Sequence, residues 1–85
     1  MLLMKPNCEC CDRDLPADGT DAWVCSFECT FCRVCADHRF AGRCPNCGGD
    51  LTTRPTRAQA HWARFPPSPE RFTKAHPQCA AMGAA

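Results

Sequence analysis

Hydrophobic residues are concentrated between residues 22 and 41 of the chain. Residues 22 to 25 form the run Ala-Trp-Val-Cys, and residues 27 to 31 alternate Phe, Cys and Phe with Glu and Thr, as a half-buried strand does. These two segments predict a β-hairpin. Residues 32 to 41 contain no Gly or Pro before Gly42, so they predict one short helix with two cysteines near its start.

Side chains shared by the hairpin and the helix predict a small core. It consists of Trp23, Phe27, Phe31, Val34 and Phe40. A chain of 85 residues buries too little apolar surface to outweigh its conformational entropy unaided. We therefore expect covalent or metal cross-links to stabilise the fold.

The hydrophobic pattern ends near residue 51. Beyond it Pro recurs at five positions, Ala and Arg are frequent, and no alternation is visible. The chain is thus predicted to divide into a metal-binding module, residues 1 to 51, and a disordered tail, residues 52 to 85. In the tail, docking of the aromatic cluster His61 to Phe65 on the module or on a partner is the alternative to disorder, and Cys79 is expected to be a free thiol.

Eight of the ten cysteines form four closely spaced pairs: Cys8 and Cys11, Cys25 and Cys29, Cys32 and Cys35, and Cys44 and Cys47. A spacing of two residues lets the backbone turn so that both thiolates point at one ion, with nearby amides facing the sulfurs. Eight thiolates are the ligands of two tetrahedral Zn(Cys)4 sites, so we predict two Zn²⁺ ions per chain. Cys10 is left as a spare thiol, with replacement of Cys8 or Cys11 as the alternative.

The last cysteine pair lies in a favourable turn sequence, Cys-Pro-Asn-Cys-Gly-Gly. Pro45 fixes φ where the turn begins, and Asn46 and Gly48 tolerate the left-handed conformation that closes it. This segment alone therefore indicates half of a zinc site.

The thiols are expected to bind metal rather than form disulfides. The N-terminal residues contain no apolar segment long enough for a secretory signal, and no stretch approaches the roughly 18 apolar residues of a membrane span. These features predict a soluble, cytoplasmic protein whose cysteines stay reduced.

The complete spacing, Cys8-x2-Cys11-x13-Cys25-x3-Cys29-x2-Cys32-x2-Cys35-x8-Cys44-x2-Cys47, resembles the RING-finger pattern, with Cys29 where that family usually has His. The resemblance implies a treble-clef, cross-brace fold with interleaved sites. One zinc would be held by Cys8, Cys11, Cys32 and Cys35, and the other by Cys25, Cys29, Cys44 and Cys47. Interleaving also ties a core-poor chain together better than two consecutive local loops would.

Three segments also resemble a family of short bacterial cysteine-rich proteins known only as a domain of unknown function. They are residues 6 to 11, 25 to 32 and 44 to 49, and the resemblance covers residues 1 to 51. It implies a RING-like zinc fold and brings no known activity.

Closed, all-cysteine sites leave no open coordination position beside a base, so we expect no enzyme activity and no small-molecule substrate. Residues 1 to 50 carry a net charge of −3, and the tail carries +4. Two Zn(Cys)4 centres would bring the module to about −7, which disfavours contact with nucleic-acid phosphates. The expected function is a non-catalytic, zinc-binding interaction module with a protein partner.

Four alternatives accompany this expectation. A thiol-based redox sensor would lose zinc on oxidation, with Cys10 as the resolving thiol. RING-type ubiquitin ligases usually have an aliphatic residue after the first ligand and a basic residue after the last. Glu9 and Gly48 occupy these positions here, which disfavours ubiquitin-ligase activity. An iron–sulfur cluster is suggested by the cysteines at 29, 32 and 35, but their next gap is eight residues rather than three. The tail could bind nucleic acid nonspecifically.

Overall fold

A three-stranded antiparallel sheet organises the computed structural model, which describes residues 1–73 and Cys79. Its strands are β1 (Ala22–Val24), β2 (Thr30–Cys32) and β3 (Thr52–Thr53), in the order β2-β1-β3. Trp23 of the central strand lies opposite Phe31 on one side and Thr53 on the other. The predicted hairpin is confirmed, and a third strand joins it.

The hairpin turn differs from the prediction because β2 begins at Thr30 rather than at Phe27. Glu28 adopts a left-handed backbone conformation with φ of 68°, and its amide donates to the Cys25 carbonyl. This tight turn interrupts the alternation of a strand. Phe27 therefore lies at the tip of the turn, 74% exposed, and its predicted place in the core is wrong.

A short helix follows β2, as predicted, and its regular part is a single π-helical turn, Cys35–Arg39. The Phe40 amide donates to the Cys35 carbonyl over 3.1 Å, and Gly42, with φ of 80°, reverses the chain. Cys35 and Ala36 face the core. Val34 lies immediately before this turn and is 47% exposed, so its predicted burial is also wrong.

The core forms where the sheet, the helix and the cysteine pairs meet. Phe31 and Phe40 are buried as predicted, and their rings pack edge to face with centroids 4.9 Å apart. Trp23 is half-buried and packs against this core. Leu15 and Leu51, which come from outside the predicted elements, complete it.

Residues just beyond position 51 differ from the disordered extension predicted to begin there. Thr52–Thr53 pairs with β1, and a 3₁₀ turn, Gln59–His61, follows. Arg54 is only 4% exposed, and its guanidinium donates to the carbonyls of Lys5, Leu15 and Pro16 over 2.7 to 3.2 Å. The physical reason is that β1 has an edge open to pairing and the N-terminal loop has carbonyls to satisfy. The rest of the predicted tail, residues 74 to 78 and 80 to 85, lies outside the described residues.

Across residues 1–73 and Cys79, no helix has the length and apolar character needed to cross a membrane.

Candidate metal centres

The first candidate centre is a cluster of four thiols, which the structure draws from two distant segments. The sulfur atoms all lie within 4.8 Å of one another and belong to Cys8, Cys11, Cys32 and Cys35. The Sγ atoms of Cys11 and Cys32 are 3.7 Å apart. A tetrahedral zinc site with Zn–S bonds of about 2.3 Å has sulfur–sulfur edges of about 3.8 Å, so this spacing fits such a site.

Backbone amides in both segments orient these sulfurs. The amides of Cys10 and Cys11 point at Cys8 Sγ from 3.4 and 3.5 Å, and the Cys35 amide points at Cys32 Sγ from 3.5 Å. Asp12, with φ of 64°, closes the first turn by donating its amide to the Cys8 carbonyl. Amides aimed at sulfur stabilise thiolates and fix ligand geometry around a metal.

Crowding of the four thiols controls their protonation. The Cys8 thiol donates to Cys32 and is buried, which together raise the pKa of Cys8 to about 12, whereas the same hydrogen bond lowers the pKa of Cys32. Burial and the neighbouring charge of Cys8 raise the pKa of Cys35 to about 12. Four thiolates therefore cannot share this space unless a cation neutralises them.

The second candidate centre brings together three of its four predicted ligands, Cys25, Cys44 and Cys47, whose sulfurs lie within 4.8 Å of one another. Cys29 Sγ lies outside this group, but it is within hydrogen-bonding reach of the thiols of Cys25 and Cys44. Burial, together with the Cys25 thiol, raises the pKa of Cys29. The Asn46 side-chain amide donates to Cys29 Sγ over 3.4 Å. Cys29 as the fourth ligand stays a prediction.

The turn around Cys44 and Cys47 has the features of a metal-binding knuckle. The amides of Asn46 and Gly49 point at Cys44 Sγ and Cys47 Sγ, each from 3.4 Å. Gly48 has φ of 78°, as the sequence predicts, and donates its amide to the Cys44 carbonyl. Asn46 does not adopt the left-handed conformation. Its side chain contributes instead, through the hydrogen bond to Cys29 Sγ.

The two centres differ in their depth in the fold. At the first, Cys8, Cys32 and Cys35 are buried in the core. At the second, Cys47 is exposed and Cys29 is half-buried. Any ion at the first centre would be shielded from water, whereas one at the second would lie near the surface.

A disulfide between Cys10 and Cys79 lies beside the first centre and overturns two expectations. Cys79 is not a free thiol, since it is bonded to Cys10 and buried against the core cluster, and Cys10 is not spare. The other eight cysteines are free. The sequence did contain a sign of this, because Cys10 and Cys79 are the two cysteines outside the four pairs.

A buried carboxylate whose structural role the sequence did not indicate connects the first centre to the sheet. Glu9, between two predicted ligands, is 3% exposed. Its Oε2 accepts hydrogen bonds from the Thr30 amide over 2.6 Å and from Lys5 Nζ over 3.0 Å. A Glu in a cysteine-rich turn resembles an ordinary solvated charge, so no sequence pattern would have found it.

Comparison with known protein families assigns most of the chain to one family. Residues 1–57 match the family described as Protein of unknown function (DUF1272). The chain belongs to the DUF1272 family. This membership confirms the likeness to a bacterial cysteine-rich family that the motifs indicate. The matched region of the DUF1272 protein continues past residue 51 and takes in β3 and Arg54.

A relative of this DUF1272 protein is an uncharacterized protein of Rhizobium meliloti (strain 1021). The two are 54% identical over 74 residues, which cover 87% of this chain and 88% of the relative. No solved structure matches the chain at a significant level.

Proposed function

We propose that this DUF1272 protein binds two Zn²⁺ ions in a RING-like, treble-clef cross-brace. The pairing of the first and third cysteine pairs supports this most strongly, since they contribute to one cluster although Cys11 and Cys32 are 21 positions apart. Cys25 of the second pair and both cysteines of the fourth pair meet at the other cluster. Interleaving makes each centre depend on both parts of the module.

Zinc is the metal that we infer, because it favours four thiolates in a closed tetrahedron. The amides aimed at the sulfurs suit thiolate ligands in general. Cys29 completes the second set of four in this proposal, moving slightly from its present position beside Cys25 and Cys44. The eight free thiols also favour a reducing compartment such as the cytoplasm, where the Cys10–Cys79 disulfide would be exposed to reduction.

The function that we propose is a non-catalytic module that binds another protein. Closed Zn(Cys)4 sites supply no open position for chemistry, so the metals would act by holding the surface in shape. Phe27 supports a role in contact, since a large apolar side chain stands exposed at the tip of the hairpin turn, next to the second centre. Exposed aromatic residues are common anchors of protein interfaces.

A binding experiment with matched variants tests this proposal. The full chain, loaded with zinc, is used to capture proteins from its native cell extract, beside Phe27→Ala and Val34→Ala. Both residues are exposed and apolar, but Val34 lies at the start of the helix rather than in the hairpin turn. We expect a defined protein to be lost with Phe27→Ala and kept with Val34→Ala, while both variants retain their metal. Equal capture by all three forms, or capture that nuclease treatment abolishes, would refute the proposed protein interface.

A further inference from the structure

The Cys10–Cys79 disulfide joins positions 69 residues apart and lies within the turn of the first centre. Cys10 stands between Cys8 and Cys11, two residues of the thiol cluster, and its amide points at Cys8 Sγ from 3.4 Å. Cys79 is buried against the core, whereas Cys10 is partly exposed. One sulfur–sulfur bond therefore couples the C-terminal part of the chain to the backbone that positions a metal ligand.

The chain just before this disulfide is held against the same turn by independent contacts. Asn7 and Phe72 exchange two hydrogen bonds, of 2.7 Å from Asn7 Nδ2 to the Phe72 carbonyl and 2.9 Å from the Phe72 amide to Asn7 Oδ1. Arg71 forms ion pairs with Asp12 and Asp14 at 3.0 and 2.8 Å. These contacts place residues 71–73, which we call the strap, beside the Cys8–Cys11 turn.

The strap makes opening of the disulfide easy to reverse. Five residues separate Thr73 from Cys79, so breaking the sulfur–sulfur bond opens only a short loop while the strap contacts hold. A short loop costs little entropy to close again and keeps the two thiols at a high effective concentration.

We propose that Cys10–Cys79 is a site of thiol–disulfide exchange with small-molecule thiols such as glutathione, and that its redox state sets how tightly the first centre holds its metal. The part concerning the metal rests on the proposed zinc function. The other eight cysteines lie in or beside the two candidate centres as free thiols. Bound metal would occupy them, which leaves this pair as the one open to exchange.

The exchange proceeds in two steps. A glutathione thiolate attacks the sulfur of Cys10, the more exposed partner, so a mixed disulfide forms and Cys79 leaves as a thiolate that takes up a proton. A second glutathione thiolate attacks the glutathione sulfur of the mixed disulfide, and Cys10 leaves and is protonated in turn. Two glutathione thiols thus lose two electrons to become glutathione disulfide, and the protein disulfide gains them. Excess glutathione disulfide drives the reverse reaction.

Reduction affects the first centre through the turn that Cys10 belongs to. The disulfide fixes Cys10, and with it the amide aimed at Cys8 Sγ. Loss of a group that orients a ligand typically lowers metal affinity about 10- to 100-fold. We expect reduced protein to surrender the metal of the first centre to a chelator about tenfold faster, a value at the low end because the strap still holds the turn.

The experiment uses the full chain, zinc-loaded, equilibrated in buffers of different ratios of glutathione to glutathione disulfide. Brief alkylation followed by peptide mass spectrometry identifies the reduced cysteines, and transfer of zinc to a chromogenic chelator gives the rate of metal loss. Cys79→Ser removes the disulfide but none of the eight clustered thiols, and Arg71→Gln weakens the strap but leaves the disulfide in place. Oxidised and reduced wild-type protein are compared directly, so the result does not depend on the folding of a variant.

After equilibration in reducing buffer, we expect the reagent to alkylate Cys10 and Cys79 alone. After equilibration in oxidising buffer, we expect it to alkylate neither. Release of one of the two zinc ions should be about tenfold faster after reduction. Cys79→Ser should release that ion at the fast rate in every buffer. The proposed exchange is refuted if Cys10 and Cys79 are alkylated to the same extent after equilibration in either buffer. The proposed effect on the metal is refuted if reduction leaves the rate of zinc release unchanged. Elemental analysis of the untreated protein separates these outcomes from a failure of the zinc proposal, because exchange at Cys10 is measured whether or not zinc is bound.

Discussion

Glu9 and Thr30 are joined by a 2.6 Å hydrogen bond from the Thr30 amide to Glu9 Oε2, and both residues are buried. A return bond runs from the Glu9 amide to the Thr30 carbonyl over 2.9 Å. These two bonds attach the turn that carries Cys8 and Cys11 to the strand that ends at Cys32. The first centre is thus held together by hydrogen bonds between these two segments as well as by its sulfurs.

Replacement of this carboxylate should destabilise the fold. In Glu9→Ala, the Thr30 amide and the Lys5 ammonium lose their buried acceptor, and we expect the free energy of unfolding to fall by about 2 to 3 kcal/mol. Denaturant unfolding of the metal-loaded protein measures it. Glu70→Ala is the matched control, because Glu70 is exposed, and it should change stability by less than about 0.5 kcal/mol. Equal effects of both substitutions would show that the Glu9–Thr30 contact is not important.

Arg54 gives a second test, which concerns the residues after position 51. In Arg54→Lys the charge is kept, but a single ammonium cannot reproduce the planar fork that reaches three carbonyls. We expect the free energy of unfolding to fall by about 2 kcal/mol. Each lost hydrogen bond from a charged group is worth about 1.5 to 3 kcal/mol, and the Lys ammonium recovers part of this. Thermal unfolding measures this loss.

The control for Arg54 is Arg13→Lys, at an exposed position, where we expect almost no change. If Arg54→Lys were equally silent, the contacts of the Arg54 guanidinium would contribute nothing to stability.

The dependence of metal binding on pH follows from the crowded thiols. Cys8 and Cys35 have pKa values raised from 9.0 to about 12, so both are protonated at neutral pH without metal and must release protons on binding it. Release of at least these two protons makes the affinity of the first centre rise about 100-fold or more per pH unit. Competition with a chelator between pH 6 and pH 8 measures the slope.

The same shifts act in the opposite direction on the metal-free fold. Because the folded pKa values exceed the unfolded value of 9.0, they stabilise that fold below pH 9. This stabilisation is lost as the pH rises towards 12.

For the metal-binding prediction, a metal affinity that did not change with pH would contradict the assignment of Cys8 and Cys35 as ligands.

Interleaved centres predict that one substitution affects distant residues. Cys32→Ser removes a buried thiol of the first centre, so hydrogen exchange should become faster in the Cys8–Cys11 turn, which is 21 positions away in sequence at its nearest point. Cys47→Ser, at the exposed centre, should leave that turn protected. Protection of Cys8–Cys11 in both variants would mean that the turn does not depend on Cys32.

The four close pairs of cysteines carried most of what could be predicted of the site, because thiolate spacing is a local property that the sequence states directly. The hairpin and the short helix were also predictable, since apolar alternation and the stop at Gly42 are local. Phe27 and Val34 were misplaced for a physical reason. In a domain this small the ligand turns decide which side chains point inward, and Glu28 breaks the strand pattern at the second pair.

The contributions from residues after 51 could not be predicted in the same way. β3 is two residues long, too short to show alternation, and Arg54 is buried by carbonyl contacts that have no sequence pattern. The Cys10–Cys79 disulfide joins positions 69 residues apart, and a count of cysteines reveals two left over without showing that they meet. These features depend on long-range packing.

Native mass spectrometry of the full chain, purified without added metal chelators, tests the central claim most directly. The account predicts two zinc ions per chain, and one in Cys32→Ser. A single zinc ion in the wild-type protein would contradict it. Bound iron would also contradict it, and an absorption spectrum of the same sample would then show the band near 400 nm that is typical of iron–sulfur clusters.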